Sequence, residues 1–558
     1  MQSIIEILAW LDSYVSVHPV FIYTLLGTGV FLTVYLGFPQ VRYFGRACRT
    51  LRGHYDHQHH EGDASHFQAL STALSGTVGT GNIAGVAMAI HLGGPAALFW
   101  MVVTAIIGMA TKYAEVTLSH KYREKLPDGT MAGGPMFYMD KRLNLNIKGR
   151  TIKTGHLIAI IFSVCTVLCA FGTGSLPQIN NIATAMRDSF SIPQMVSGAV
   201  LAVALGAVVL GGIKRIVTVT EKIVPFMAIV YFVGAMVVII YHIDNLWPGI
   251  KSVFGDVFTG TAATGGFLGG TVSLAMSRGI NRGLFSNEAG QGSAPIAHAT
   301  ARCQHPAQEG LVAMLEPFID TVIICSLTGL MIVSSGVWKE KFDNDFQYAD
   351  IVIVNTNSND AKVLYDAMQS NDSMYDGIIE VVDGKAKPGD WTLMHAQSVA
   401  EDVVFKKDGK PFNGVIKVVD GKPEKNGMVI SGKSLLHSAP LTVKAFSSSW
   451  FGSFGEYIVA LSLLLFAFST SIAWCYYGDR AMIFMFGQRS VLPFRIVYVI
   501  GFFIASFVDT SLIWYFSSVA VVLMAMPNLI GLLILHRELK DETRKLVKCT
   551  AISFNVTQ

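Results

Sequence analysis

The sequence of 558 residues is 51% hydrophobic and 15% charged, with a formal net charge of +3. Soluble domains carry about 25% charged residues, so the composition excludes an ordinary soluble protein, and so small a net charge gives no sign of a nucleic-acid partner. The seven cysteines fall mostly in apolar runs without metal-site spacing, which argues against a disulfide framework, and the stretch before Arg42 lacks the basic n-region of a signal peptide.

Apolar runs of roughly bilayer-crossing length, about 17–25 residues, recur along the chain. They predict eleven spans, at about 18–38, 67–92, 95–119, 155–176, 193–212, 223–242, 262–298, 309–335, 452–477, 496–508 and 510–535. The link after the first span holds Arg42, Arg46, Arg49 and Arg52; its His54, His57, His59 and His60 read as a solvated loop rather than a metal site. The second span is interrupted by GTVGTGNIAG, Gly76 to Gly85. Gly79 to Ala84 fits the G-x-G-x-x-[GA] pattern of dinucleotide loops. Such a loop needs a strand before it in a soluble βαβ unit, whereas here apolar sequence lies on both sides. A helix broken in mid-membrane fits better. The carbonyls ending its first half can bind Na⁺ or an ammonium, and the N–H groups opening its second half can bind a carboxylate. Close packing through small residues competes with that reading, but Thr77, Thr80 and Asn82 favour a ligand site.

The fourth span runs into Phe171-Gly172-Thr173-Gly174, followed by Gln178 and Asn181, which could line a polar cavity or cap the helix. The seventh contains a second glycine-rich interruption, Thr264 to Thr271. Interruptions five helices apart point to a transporter built from two five-helix inverted repeats. The eighth span holds Glu316 and Asp320 one turn apart; buried charges in a membrane are usually functional, and the structural alternative is pairing with Arg278 or Arg282. The ninth carries Ser469-Thr470-Ser471, whose hydroxyls could ligate Na⁺ or bond their own helix carbonyls.

Between the eighth and ninth spans lies a polar insert, residues 339–449. Tyr375–Lys385 and Phe412–Lys422 form an imperfect internal repeat in which β-branched runs end in Asp-Gly, a tight-turn signal, so a small, mostly β domain is expected. Gly427–Ser434 fits G-x-x-x-x-G-K-[ST] but lacks a βαβ context, so no nucleotide is expected. Basic residues crowd the links after the first, third, fifth and ninth spans and the 537–558 tail, while the other short links show only Arg187 and Lys251. Basic links face the cytoplasm. The N-terminus and the insert are therefore expected outside and the tail inside. The organisation expected is a transporter core over 1–338 and 450–536, the insert, and a cytoplasmic tail.

Gly93-Gly94-Pro95-Ala96-Ala97-Leu98-Phe99-Trp100-Met101 with Gly108-Met109-Ala110, Val78–Gly85, Gly133–Met139 and Arg282–Gly290 together resemble the signature of the alanine or glycine:cation symporter family. Val102 stands where that signature usually has Trp, and the insert is longer than the family leads one to expect. The resemblance implies an all-α, polytopic, LeuT-like 5+5 inverted-repeat core with one extra N-terminal helix. It implies an amino-acid site formed by Gly79, Thr80, Gly81, Asn82, Phe171, Gln178, Phe267, Thr470 and Trp474. It places a Na⁺ site at the backbone of Ser75, Thr77 and Val78 and at the hydroxyls of Ser469, Thr470 or Ser471; Asp320, Glu316 and Arg282, as charges in apolar surroundings, are expected as coupling or structural charges. The function expected is Na⁺-coupled (or H⁺-coupled) symport of a small neutral amino acid across a bacterial inner membrane, with Na⁺ as coupling ion, no other cofactor and no covalent chemistry. A membrane sensor using the insert, or a passive exchanger, is the alternative.

Overall fold

The computed structural model describes residues 19–54, 61–147, 150–259, 272–358, 361–396, 398–424, 427–508 and 510–556. The expected second interruption, Thr264 to Thr271 with Phe267, lies outside the described residues.

Helices dominate. The main ones are α1 (Pro19–Tyr35), α2 (His66–Thr77), α3 (Val86–Gly93), α4 (Ala96–Lys121), α5 (Thr154–Gly172), α6 (Leu176–Phe190), α7 (Gln194–Val209), α8 (Gly212–Tyr241), α9 (Ile243–Thr259), α10 (Val272–Asn287), α11 (Pro306–Ala313), α12 (Ser326–Ser335), α13 (Ser438–Ser447), α14 (Phe454–Phe486), α15 (Val491–Ala505), α16 (Thr510–Ile534) and α17 (His536–Val556). Among the described residues, six helical runs are long and apolar enough to cross a membrane, and two further pairs qualify as bent helices. Val20–Tyr35 and Gln194–Val209 are shorter apolar helices, at the places of the first and fifth expected spans. The sixth and ninth spans are longer than expected, at Gly212–Tyr241 and Phe454–Phe486. Apolar periodicity marks only the greasy stretch of a helix, and here the polar ends stay helical. The tail is helical as well, and Lys121 of α4 pairs with Glu538 and, at 3.0 Å, with Glu542 of α17.

One bent pair is the second span, where His66–Thr77 and Gly81–Gly93 meet at 55°. α2 opens on a capping box: the Ser65 hydroxyl accepts from Gln68 N–H and the Gln68 side chain accepts from Ser65 N–H. It ends where Val78 turns extended (φ −75°, ψ 91°), and the chain restarts as a π-helical turn, Gly81–Gly85. α2 packs against α8 and α14, and α4 packs against α10 and α11. The eighth span is also irregular, with a π-helical stretch at Phe318–Cys325 between α11 and α12. Such π segments are frequent at functional sites.

The insert is an antiparallel β unit. The repeated runs become strands Gly377–Val382 and Gly414–Val419, which pair with each other in the register Ile379↔Ile416. Each is followed by a turn with two left-handed residues, Asp383 and Gly384 (φ 49° and 74°) and Asp420 and Gly421 (φ 50° and 69°). This is the type I′ geometry that matches the twist of flanking strands. The two turns are tied across the pair, since Asp383 N–H donates to Asn413 Oδ1 and Asp420 N–H donates to Asp376 Oδ1. Met428–Leu435, which contains most of the nucleotide-loop lookalike, is a strand paired on both sides, with Glu401–Lys407 and Lys341–Asp345, so it forms no phosphate loop. The strands end at Leu435. The next helix, α13, packs on the broken span, where Thr442 Oγ1 donates to the Ile83 carbonyl across 3.1 Å.

Candidate functional site

The break in the second span is where the polar groups converge. Asn82 closes it from within: its Oδ1 accepts from the Gly79 N–H at 2.9 Å. Its Nδ2 donates to Asp320 Oδ1 at 2.6 Å and to the Asp320 carbonyl at 3.2 Å. Asp320 is completed by the hydroxyls of Ser286 and Thr321, each at 2.7 Å. A buried carboxylate needs such donors, and here they are neutral. No ion pair joins Asp320 to Arg282 among the described residues.

Helix α14 approaches the break closely. Thr470 Oγ1 lies 3.4 Å from the Val78 carbonyl and 3.0 Å from that of Phe466. A Cβ on Gly79 would stand 2.7 Å from Thr470 Oγ1 and 3.6 Å from Gln178 Oε1, so only glycine allows the approach. Gln178 is held by its Nε2, which donates to the Thr173 carbonyl at 3.1 Å. Thr80 Oγ1 and Gln178 Oε1 are buried without a hydrogen-bond partner among the described residues. Two hard oxygens from facing chains, with two further unpaired polar oxygens nearby, form a donor set that suits Na⁺. The neighbouring hydroxyls make the same kind of bond inside their own helix as Thr470 makes to Phe466, but none of them reaches the facing chain's carbonyl. Ser469 Oγ donates to Phe466 O, Ser471 Oγ to Ala467 O, and Ser75 Oγ to Thr72 O. Thr77 Oγ1 stands 3.4 Å from Leu74 O. Helix-internal bonding, the competing reading of the hydroxyl cluster, therefore describes all three hydroxyls, and Thr470 adds the longer contact to Val78.

The free N–H groups are also fewer than expected. Asn82 N–H is bonded to the Gly79 carbonyl at 3.3 Å, which corrects the expectation that it waits for a carboxylate. Thr80 and Gly81 open the second half-helix, and among the described residues neither N–H makes a turn or cap bond.

Trp474 is fully buried, and its Nε1 donates to Glu288 Oε1 at 3.2 Å. Its Cβ stands 2.1 Å from where a Cβ on Gly174 would lie, so Trp474 packs directly on the turn between α5 and α6. Glu288 itself has φ 53°, a left-handed conformation uncommon outside glycine, and it also accepts from Ser293 Oγ at 2.5 Å. Phe171 turns its ring to Phe494 and Tyr498 of α15, with centroids at 5.9 and 5.4 Å.

Behind the break runs a buried ionic chain. Lys112 Nζ is 3.1 Å from Glu316 Oε1 and 3.9 Å from Glu115 Oε1, all fully buried. Glu316 therefore pairs with Lys112, not with Arg278 or Arg282 as the structural alternative supposed. Asn528 Nδ2 donates to Glu115 at 2.8 Å. Glu309 is held between His66 and His298, and His298 Nε2 reaches Glu316 at 3.9 Å. Sequence reasoning missed Lys112, Glu115, Glu288 and Ser286. The first two were visible as charges inside an apolar span, and the last two lie in the Arg282–Gly290 block.

A family model described as the sodium:alanine symporter family matches residues 1–359 and 425–553, which leaves the middle of the insert outside it. An uncharacterized transporter of Haemophilus influenzae is 35% identical over 97% of this chain and 96% of its own length. The sodium/alanine symporter AgcS of Methanococcus maripaludis is 34% identical over 94% of each chain. Among solved structures, a manganese transporter of Eremococcus coleocola aligns with 84% of this chain and 78% of its own, at 13% identity and a TM-score of 0.46.

Proposed function

The chain belongs to the sodium:alanine symporter family, and from that premise we propose that it carries a small neutral amino acid, alanine or glycine, into the cell together with Na⁺. At the coarser level it is a multi-pass membrane transporter of the cation-coupled amino-acid symport type. The observation that carries the finer reading is Thr470 Oγ1 at 3.4 Å from the Val78 carbonyl, across a glycine that admits no side chain. Na⁺ prefers oxygen ligands, and this pair spans the two segments that must move relative to each other. A bound ion favours the arrangement in which both oxygens face it. A ligand shifts a conformational equilibrium only by its differential affinity for the two states.

In this reading the substrate carboxylate meets the Thr80 and Gly81 N–H groups at the positive end of the second half-helix. The ammonium faces the Val78 end and Gln178 Oε1. Trp474 bounds the space for the side chain. Val78, Thr80, Gln178, Thr470 and Trp474 are buried, as an occluded step of alternating access requires. We place the protein in a bacterial inner membrane with the N-terminus and insert outside and the tail inside, from the distribution of Lys and Arg.

The test is alanine uptake into proteoliposomes with a Na⁺ gradient, with a pH gradient, and with neither. Uptake against a concentration gradient only when Na⁺ is inward-directed supports the reading. Uptake driven by the pH gradient alone would assign coupling to H⁺, and the ionic chain through Lys112 and Glu316 would become its route. Exchange without a gradient requirement would mark a passive exchanger, and binding without transport a sensor.

A further inference from the structure

The outer side of the molecule carries a second cluster that the transport reading does not use. Asp350 ends a short helical turn, His395 ends the strand Thr392–His395, and His437 caps the start of α13. One ligating atom from each of the three lies within 4.8 Å of the other two. His437 Nε2 is already 3.4 Å from Asp350 Oδ2. Tetrahedral ligands at about 2.0–2.1 Å from Zn²⁺ stand roughly 3.3 Å apart, so a modest closure of the third ligand completes a three-ligand site.

Several features favour a metal over an ordinary polar contact. Backbone pairing sets two of the ligands side by side: the strand holding His395 runs antiparallel to Ile351–Val354, and Ala396 N–H donates to the Asp350 carbonyl at 2.9 Å. The His395 ring is stacked on Phe346 at 4.3 Å and 14°, which fixes its plane. Its Nδ1 is taken by Ser434 Oγ at 2.8 Å, and Ser434 Oγ in turn accepts from Asn344 Nδ2 at 3.0 Å. Its Nε2 is buried with no hydrogen-bond partner among the described residues, although the residue is only 3% exposed. His437 repeats the pattern, with Nδ1 3.3 Å from Ser438 Oγ. An outer-sphere bond to one ring nitrogen is what orients the other toward a metal.

We propose that Asp350, His395 and His437 form a site for a transition-metal dication of the Zn²⁺ class, with water completing the coordination. Two imidazoles and one carboxylate suit Zn²⁺, and such a donor set does not suit Mg²⁺ or Ca²⁺, which take all-oxygen shells. The site bridges two parts of the protein. Asp350 and His395 belong to the β insert, while His437 begins the helix whose Thr442 holds the Ile83 carbonyl of the broken span. A bound ion would therefore clip the insert to the outer half of the transporter core. His91, at the outer end of that span, completes the surroundings with its ring 5.4 Å from that of His437 and its Nε2 bonded to the Ala396 carbonyl.

The experiment uses the full-length protein in detergent, with its affinity tag removed and His54, His57, His59 and His60 replaced by Ala to silence the histidine-rich link. After equilibration with Zn²⁺ and dialysis against a weak chelator, metal content is measured by mass spectrometry and affinity by chelator competition. One Zn²⁺ per chain is expected, with an affinity lowered at least tenfold in each of Asp350→Asn, His395→Ala and His437→Asn. Substituted Co²⁺ should show the intense visible absorption of a tetrahedral site, and His437→Asn should abolish it. His395 is packed against Phe346, so Asp350→Asn and His437→Asn, on the more exposed side, carry the test if His395→Ala does not fold. A parent protein that retains no Zn²⁺, or one whose Zn²⁺ affinity is unchanged by both of those variants, overturns the proposal.

Discussion

The Asn82 side chain donates to the Asp320 carboxylate across 2.6 Å while its carbonyl oxygen caps the Gly79 N–H at 2.9 Å, so one amide fixes both the shape of the break and its distance from the eighth span. Replacing it removes at least three bonds in a buried place. Each unsatisfied buried group costs about 1–3 kcal/mol. Asn82→Ala should lower alanine transport at least tenfold and reduce thermal stability in detergent, and Asn82→Gln, whose amide is displaced by one methylene, should not restore it. A variant with normal uptake and melting temperature would show that the Asn82–Asp320 bond is incidental.

Thr470 is the side chain of the ninth span that faces the Val78 carbonyl. Thr470→Ala removes one hard oxygen and keeps the helix. A lost hydrogen bond to a charged group is worth about 1.5–3 kcal/mol, so the Na⁺ concentration giving half-maximal uptake should rise about tenfold or more. Ser471→Ala, whose hydroxyl is spent on the Ala467 carbonyl, should change it much less. Equal Na⁺ dependence in the wild type and Thr470→Ala would remove Thr470 from the ion site.

Trp474 blocks volume and also donates to Glu288. Trp474→Phe keeps much of the volume and frees the carboxylate; Trp474→Ala removes both. The second should weaken alanine transport and admit larger apolar amino acids, read as leucine competition in an alanine-uptake assay. Failure of leucine to compete, together with normal alanine transport, would place Trp474 outside the pocket.

Lys112 and Glu316 are fully buried and 3.1 Å apart. Removing one partner of a buried pair costs about 3–5 kcal/mol, whereas replacing both by neutral groups of similar shape is often tolerated. Lys112→Met should therefore yield little folded protein, and Lys112→Met with Glu316→Gln should recover much of it. The measurement is the melting temperature of the two single variants and the double, read as a double-mutant cycle. Additive losses would mean that the two groups are not coupled.

Lys341 and Leu435 face each other in antiparallel register, so the ends of the β insert are already neighbours. Loop closure varies weakly with length, and a short Gly/Ser linker replacing residues 342–434 should leave a folded protein that binds alanine with unchanged affinity, provided that α13 is kept. Loss of binding in a monodisperse sample would make the insert part of the substrate site.

The sequence by itself determined what depends on neighbouring residues. Apolar runs of about bilayer-crossing length marked membrane-spanning elements. The glycines and polar residues of Gly76–Gly85 marked the broken second span, and the Asp-Gly steps after two β-branched runs marked the type I′ turns of the insert. These are local rules of backbone geometry and solvation. Only the tertiary structure decided which partners the buried polar groups take. Nothing local in the sequence says that Asn82 meets Asp320, that Lys112 rather than an arginine meets Glu316, or that Asp350, His395 and His437 converge, because these partners come from separate helices or strands brought together by packing. The same packing separates the hydroxyl cluster: all three bond their own helix, and of the three Thr470 also reaches the carbonyl of the facing chain. A buried polar group must be satisfied, but the sequence gives only its need, and the fold supplies the partner.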